Sequence, residues 1–146
     1  MKTISYLFLG ILFGLSTISC SSDDDSTDDS GGGTGTTTIV IEGTWKVTNF
    51  QEDNSNQTNH FNGYTFVFAE DGVLTATNGS TVKVGFWNNG NDDSSNKLNI
   101  GFSDDDGPFE EISEDWVITN KTATKLELQH TSGGDGSVDY LTFEKN

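Results

Sequence analysis

From residue 39 onward, apolar and polar positions alternate with a period of two. Residues 43–50 read GTWKVTNF, with Trp45 and Val47 on one face. Tyr64, Phe66 and Phe68 alternate with Thr65, Val67 and Ala69. Glu70-Asp71-Gly72 reads as a turn, residues 73–77 return, and Asn78-Gly79 is a strong hairpin signal. Val82, Val84 and Phe86 alternate with Thr81, Lys83 and Gly85, and Leu98, Ile100 and Phe102 with Lys97, Asn99 and Gly101. Trp116 and Ile118, then Leu126, Leu128 and His130, continue the pattern, and residues 140–143 close it. Period two is the signature of half-buried strands. Nowhere does an i, i+3, i+4, i+7 pattern run for three turns, so the folded part is expected to be all-β.

About eight strands follow one another at a spacing typical of sandwiches and barrels, joined by short turns rich in Asn, Asp, Gly and Ser. Short sequential connections favour an antiparallel up-and-down meander. Closing it into a β-barrel removes the exposed edges; a sandwich is the competitor. Phe66, Phe68, Val82, Val84, Phe86, Leu98, Ile100, Phe102, Trp116, Ile118, Leu126 and Leu128 are the candidate interior. An eight-stranded barrel is just wide enough to be filled by its own side chains or to hold one small ligand. For so short a domain a filled core is expected, with a cavity as the alternative.

The first 38 residues follow a different pattern. Met1-Lys2 precedes an apolar run over residues 4–15, too short for the roughly 20 residues a membrane-crossing helix needs. It fits the apolar core of a signal peptide. Ser16, Thr17, Ile18 and Ser19 then lead to Cys20, the chain's single cysteine. This resembles a lipobox, in which a bacterial lipoprotein is cleaved before a cysteine that is acylated; Thr17 stands where Leu is usual. The resemblance implies a signal peptide over 1–19, a fatty-acyl (palmitate-type) anchor on Cys20, and attachment to a membrane through lipid. Ser21, Ser22, Asp23, Asp24 and Asp25 follow, an order similar to the export signal that sends lipoproteins of some Gram-negative bacteria to the outer membrane, facing outward. The remainder of 20–38, acidic and then Gly/Thr-rich, reads as a flexible tether with an r.m.s. span of about 24 Å. The barrel domain occupies 39–146.

Charge and composition narrow the function. Of 146 residues, 23 are acidic and 7 basic, a net charge of -16. Nucleic acid is excluded as a partner, because phosphate binding needs a cationic face. One cysteine excludes a disulfide framework or a multi-thiolate metal site. The acidic clusters read as solvated loops, and no metal or soluble cofactor is expected. A Ca²⁺ site would have to draw on Asp104, Asp106 and Glu110, but the spacing fails an EF-hand: Phe102 would stand first and Ser113 twelfth. Glu111 and Glu114 are not placed in a cleft by anything in the sequence. His130 falls in phase with Leu126 and Leu128 as a rim residue, and His60 sits in an Asn-rich loop. No nucleophile–base–acid set is evident, so no enzyme is expected.

Gly43-Thr44-Trp45 is similar to the G-x-W motif that opens lipocalins. Together with GYTFVFAEDGVLTAT (63–77), GFW (85–87) and PFEEISEDWVI (108–118), it resembles the lipocalin-like domain of Gram-negative surface lipoproteins. Gly43 and Trp45 would then plug one barrel end. Lipocalins usually place an Arg on the last strand over this Trp; this chain has no Arg, and Lys145 stands nearest to that role. The lipocalin C-terminal helix and disulfides have no counterpart. The resemblance implies a surface-anchored, monomeric, non-catalytic binding module for a small apolar molecule, glycan or peptide. The barrel mouth and loops 51–62, 88–96 and 104–111 would meet the ligand, and Phe61, Tyr64, Trp87 and Phe109 are the contact candidates. The alternative is a structural or interaction lipoprotein with a packed core, an accessory subunit of an envelope complex.

Overall fold

A computed structural model describes residues 33–92, 95–104, 107–134 and 136–146. The expected signal peptide (1–19), lipidated Cys20, acidic signal (Ser21, Ser22, Asp23, Asp24 and Asp25) and tether up to residue 32, together with Asp106, lie outside the described residues. Nine strands form one antiparallel sheet: β1 (Trp45–Glu52), β2 (Ser55–Asn56), β3 (Thr65–Phe68), β4 (Val73–Asn78), β5 (Thr81–Asp92), β6 (Ser95–Phe102), β7 (Asp115–Lys121), β8 (Lys125–Thr131) and β9 (Val138–Lys145). Apart from the two-residue β2, each pairs with the next in order, and β9 returns to pair with β1 from Trp45↔Lys145 to Gln51↔Tyr140. The result is the expected closed, eight-stranded up-and-down barrel.

Alternation explains what fills it. Trp45, Val47 and Phe50 from β1, Phe66 and Phe68 from β3, Leu74 and Ala76 from β4, Leu98 and Ile100 from β6, and Leu141 and Phe143 from β9 all belong to one buried cluster. Rings meet across the interior: Phe66 and Phe68 lie 5.3 and 5.6 Å from Phe143, both edge-on. Edge-to-face packing at such distances adds to the area buried. The barrel is filled by its own side chains.

On β5 the expected register is one residue out. Val82, Val84 and Phe86 were candidates for the interior, but they face outward and are 55, 58 and 56% exposed. The inward positions belong to Lys83, Gly85 and Trp87. A one-residue shift moves every side chain of a strand to the other face. The reason is local crowding. A Cβ at Gly85 would come within 2.2 Å of the Gly101 carbonyl oxygen and 2.9 Å of the Phe102 ring, so that site holds only a glycine. Outside, the Phe86 ring lies over Gly101, where a Cβ would approach it to 2.3 Å. The aromatic side chain thus covers a glycine on the neighbouring strand.

Two places where pairing is short are closed by non-strand elements. β1 pairs with β3 only at Trp45↔Phe66. Beyond that point a 3-10 helix over Thr58–Phe61 takes over: the Phe50 N–H donates to Thr58 Oγ1 (2.8 Å), and the Gln57 N–H donates to the Phe50 carbonyl (2.9 Å). β6 pairs with β7 over three residues, and helix α2 (Pro108–Glu111) lies in the connection. There the Phe102 N–H donates to Ser113 Oγ, which donates in turn to the Phe109 carbonyl. Buried backbone groups find partners in both places, as they must.

A helix α1 (Gly33–Ile41) precedes β1. Residues 33–38, expected to continue the tether, are its first part. Gly and Thr favour helix poorly, so packing accounts for it: Val40 is fully buried and Ile39 and Ile41 lie against the core.

Candidate functional site

At the α1 end, Trp45 is wholly buried, and its Nε1–H donates to the Val40 carbonyl at 2.9 Å. Lys145 Nζ lies 5.2 Å from the centre of its ring. Gly43, at φ +82°, makes the turn into β1 that an L side chain rarely adopts. Trp45, expected from G-x-W to plug this end, is thus held among α1, β1 and the end of β9. A cation stands over the indole, and it is lysine.

The opposite end is closed by an aromatic cluster. Phe61 from the 3-10 helix and Phe109 from α2 lie 5.5 Å apart, and Tyr64 is 5.1 Å from Phe109. Phe102 stacks edge-on at 4.8 Å, and Lys83 reaches in over Phe109 while pairing with Asp104. The structure thus brings Phe61, Tyr64 and Phe109 together, as a lid that packs inward; Phe61 and Phe109 are buried and Tyr64 half-buried. Trp87 is elsewhere. It packs on Phe68 at 5.6 Å and donates its Nε1–H to the Ala69 carbonyl in the β3–β4 turn.

On the rim beside this lid is a recess of about 110 Å³, bounded by Phe50, Glu52, Gln57, His60, Gly107, Pro108 and Glu111. Glu52, at the end of β1, shares a hydrogen bond with Glu111 of α2. That bond, followed by partial burial and the charges of Glu111, Asp139 and Asp53, pushes the Glu52 carboxyl up to about 7. The neutral Glu52 carboxyl can thus stand beside Glu111 where the lid helix meets the end of β1.

A second group of ionisable side chains sits where β7 begins and β8 ends. His130 Nδ1 is 3.4 Å from Asp115 Oδ1, and its Nε2 is 3.9 Å from Glu114 Oε2. Lys97 reaches the other oxygen of Asp115 at 2.6 Å and, with His130, holds its carboxyl below the usual value. Trp116 packs edge-on against the His130 ring at 5.9 Å. Each ring nitrogen faces a different carboxylate, so the cluster ties β7 to β8, and the Lys97–Asp115 ion pair ties in β6. Sequence reading placed His130 on the rim but had no means of pairing it with Glu114 and Asp115. Of the residues considered for Ca²⁺, Asp104 pairs with Lys83 and Glu110 is exposed.

A second recess lies outside the barrel wall. A groove of about 380 Å³ runs across β1, β9, β8 and β7, lined by Asn49, Gln51, Thr119, Glu127, Leu128, Tyr140 and Thr142. Asn49, Thr142, Glu127 and Asn120 form one cross-strand row, and Gln51 and Tyr140 stand in the next. Two β-bulges bracket it. Thr48 is the extra residue on β1 between Val47 and Asn49, and Thr119 the extra residue on β7 between Ile118 and Asn120. Bulges bend and twist their strands, and here they curve the flanks of the wall. No signal in the alternation pattern marks this groove, because each of its polar residues reads singly as an outward position.

No protein-family model matches the chain, and no curated protein matches it in sequence. Among solved structures, it is similar to the crystal structure of a DUF4847 family protein from Bacteroides vulgatus ATCC 8482. The TM-score is 0.52 at 18% sequence identity, covering 77% of this chain and 98% of that one. At this identity the likeness is one of fold alone.

Proposed function

We propose that the protein is a non-catalytic, lipid-anchored module that meets its partners with the outside of its barrel. The packed interior carries this reading. Of the two expectations for the resemblance, an internal ligand needs a continuous cavity of some 300 Å³ or more opening at one end. Here rings from β3, β6, β9, the 3-10 helix and α2 meet within contact distance, and both ends are capped. The accessory or interaction lipoprotein is thus favoured over a carrier of small apolar molecules. Lipidation at Cys20 and display on the outer membrane rest on the sequence resemblance; the acidic surface suits a soluble domain held off a membrane by a tether. The reading as a non-enzyme rests on the sequence, in which no nucleophile–base–acid set is evident.

Native mass spectrometry of the full chain in detergent, incubated with palmitate and then with retinol, tests the proposal. The expected spectrum shows the chain without a stoichiometric adduct beyond its own anchor. A one-to-one adduct of either probe that is lost on unfolding would overturn it.

A further inference from the structure

We infer that the groove across β1, β9, β8 and β7 binds a neutral saccharide. This deepens the proposal that the barrel works from its outside, and it rests on that reading. The argument starts from what the groove offers. Gln51 Nε2 donates to Asn49 Oδ1 at 3.3 Å. That bond fixes two neighbouring amides and leaves Asn49 Nδ2 and Gln51 Oε1 with no protein partner among the described residues. The hydroxyls of Tyr140 and Thr142 have none either. Donors and acceptors thus converge in two adjacent cross-strand rows, in a space of about 380 Å³, within the range of ligand sites. Vicinal hydroxyls, which both donate and accept, match such a mixed set.

The apolar component is equally specific. Leu128 lines the groove but is only 1% exposed, so the large apolar surface the groove offers is that of Tyr140, a residue 44% exposed. One open aromatic face among amides and hydroxyls suits the C–H face of a sugar ring and is too little for a lipophilic molecule. Charge decides against an anionic ligand. The groove's carboxylate, Glu127, is matched by Lys125 at 2.6 Å and by Asn120 Nδ2 at 2.7 Å, and the whole chain carries a net -16. Strand addition by a peptide is also disfavoured, because β1, β9, β8 and β7 are hydrogen-bonded to one another across the groove. Four strands about 4.8 Å apart make the rows some 14 Å long, the reach of a short oligosaccharide.

Saturation-transfer NMR on the full chain in detergent tests this. The probes are four neutral oligosaccharides, built from glucose, mannose, galactose and xylose, and one anionic oligosaccharide of galacturonate. Transfer to the ring protons of at least one neutral probe is expected, with none to galacturonate. Tyr140→Ala should weaken it about tenfold, Tyr140→Phe should retain it, and Phe86→Ser on the opposite wall should leave it unchanged. No transfer from any neutral probe to a chain shown folded by its melting curve would overturn the inference. So would transfer that survives Tyr140→Ala and Gln51→Ala, or a preference for galacturonate. None of these results bears on whether the barrel is filled, which the palmitate and retinol experiment reads separately.

Discussion

Trp45 shows how far single residues can be read from sequence. Its plug role follows from Gly43 at a left-handed φ, the indole N–H that needs an acceptor, and the barrel end that needs closing. Lys145 over its ring was legible only through the family resemblance, as the residue nearest the place of the missing arginine. Trp45→Ala should cost about 3–5 kcal/mol in a denaturant titration, and Lys145→Ala less than about 1 kcal/mol; equal losses would contradict the plug. Glu52 was not legible as a special residue, because its partner Glu111 is remote in sequence and the meeting depends on where the lid helix lands. Folded, Glu52 keeps its proton to about 7, whereas an unfolded glutamate releases it near 4.5. The native state therefore binds more protons over that window, and stability falls as pH rises through it. Melting temperatures between pH 4.5 and 7.5 should drop more for the natural chain than for Glu52→Gln. Parallel profiles would remove the raised Glu52 carboxyl from the account.

At the scale of elements, period two was enough to find eight strands, and turn residues were enough to order them. Register on β5 was not. Both faces of residues 82–87 carry apolar groups, and Val82, Val84 and Phe86 outweigh Lys83, Gly85 and Trp87 on hydrophobicity alone. What decides is the space inside, which Phe102 and Phe109 already occupy. Gly85→Ala should accordingly destabilise by about 1–3 kcal/mol, because the clash is with a backbone carbonyl and a strand must move. Phe86→Ser, on the surface, should cost less than Gly85→Ala; the reverse order in thermal melts would restore the register that alternation predicts. The short 3-10 helix was likewise invisible, since its role is to satisfy backbone groups that β3 leaves open. Thr58→Ala should remove about 1 kcal/mol with its bond to Phe50.

For the whole molecule, what alternation conveyed was closure, and what it left open was whether the closed space is empty. Composition says little about that, because the same apolar residues line a cavity or fill a core. Nor could it find the outer groove, which arises only when two bulges and four strands come together. The molecule that results is an acidic, capped barrel whose chemistry lies on its surface. Everything proposed for its function depends on that filled interior. Phe66 is wholly buried and lies within 6.5 Å of the rings of Phe61, Tyr64, Phe109 and Phe143. Chemical unfolding of Phe66→Ala is the most direct measurement. A filled barrel predicts a loss of about 3–5 kcal/mol, from lost burial plus the void left behind. A loss below about 1 kcal/mol, as for a ring projecting into space already open, would contradict the account.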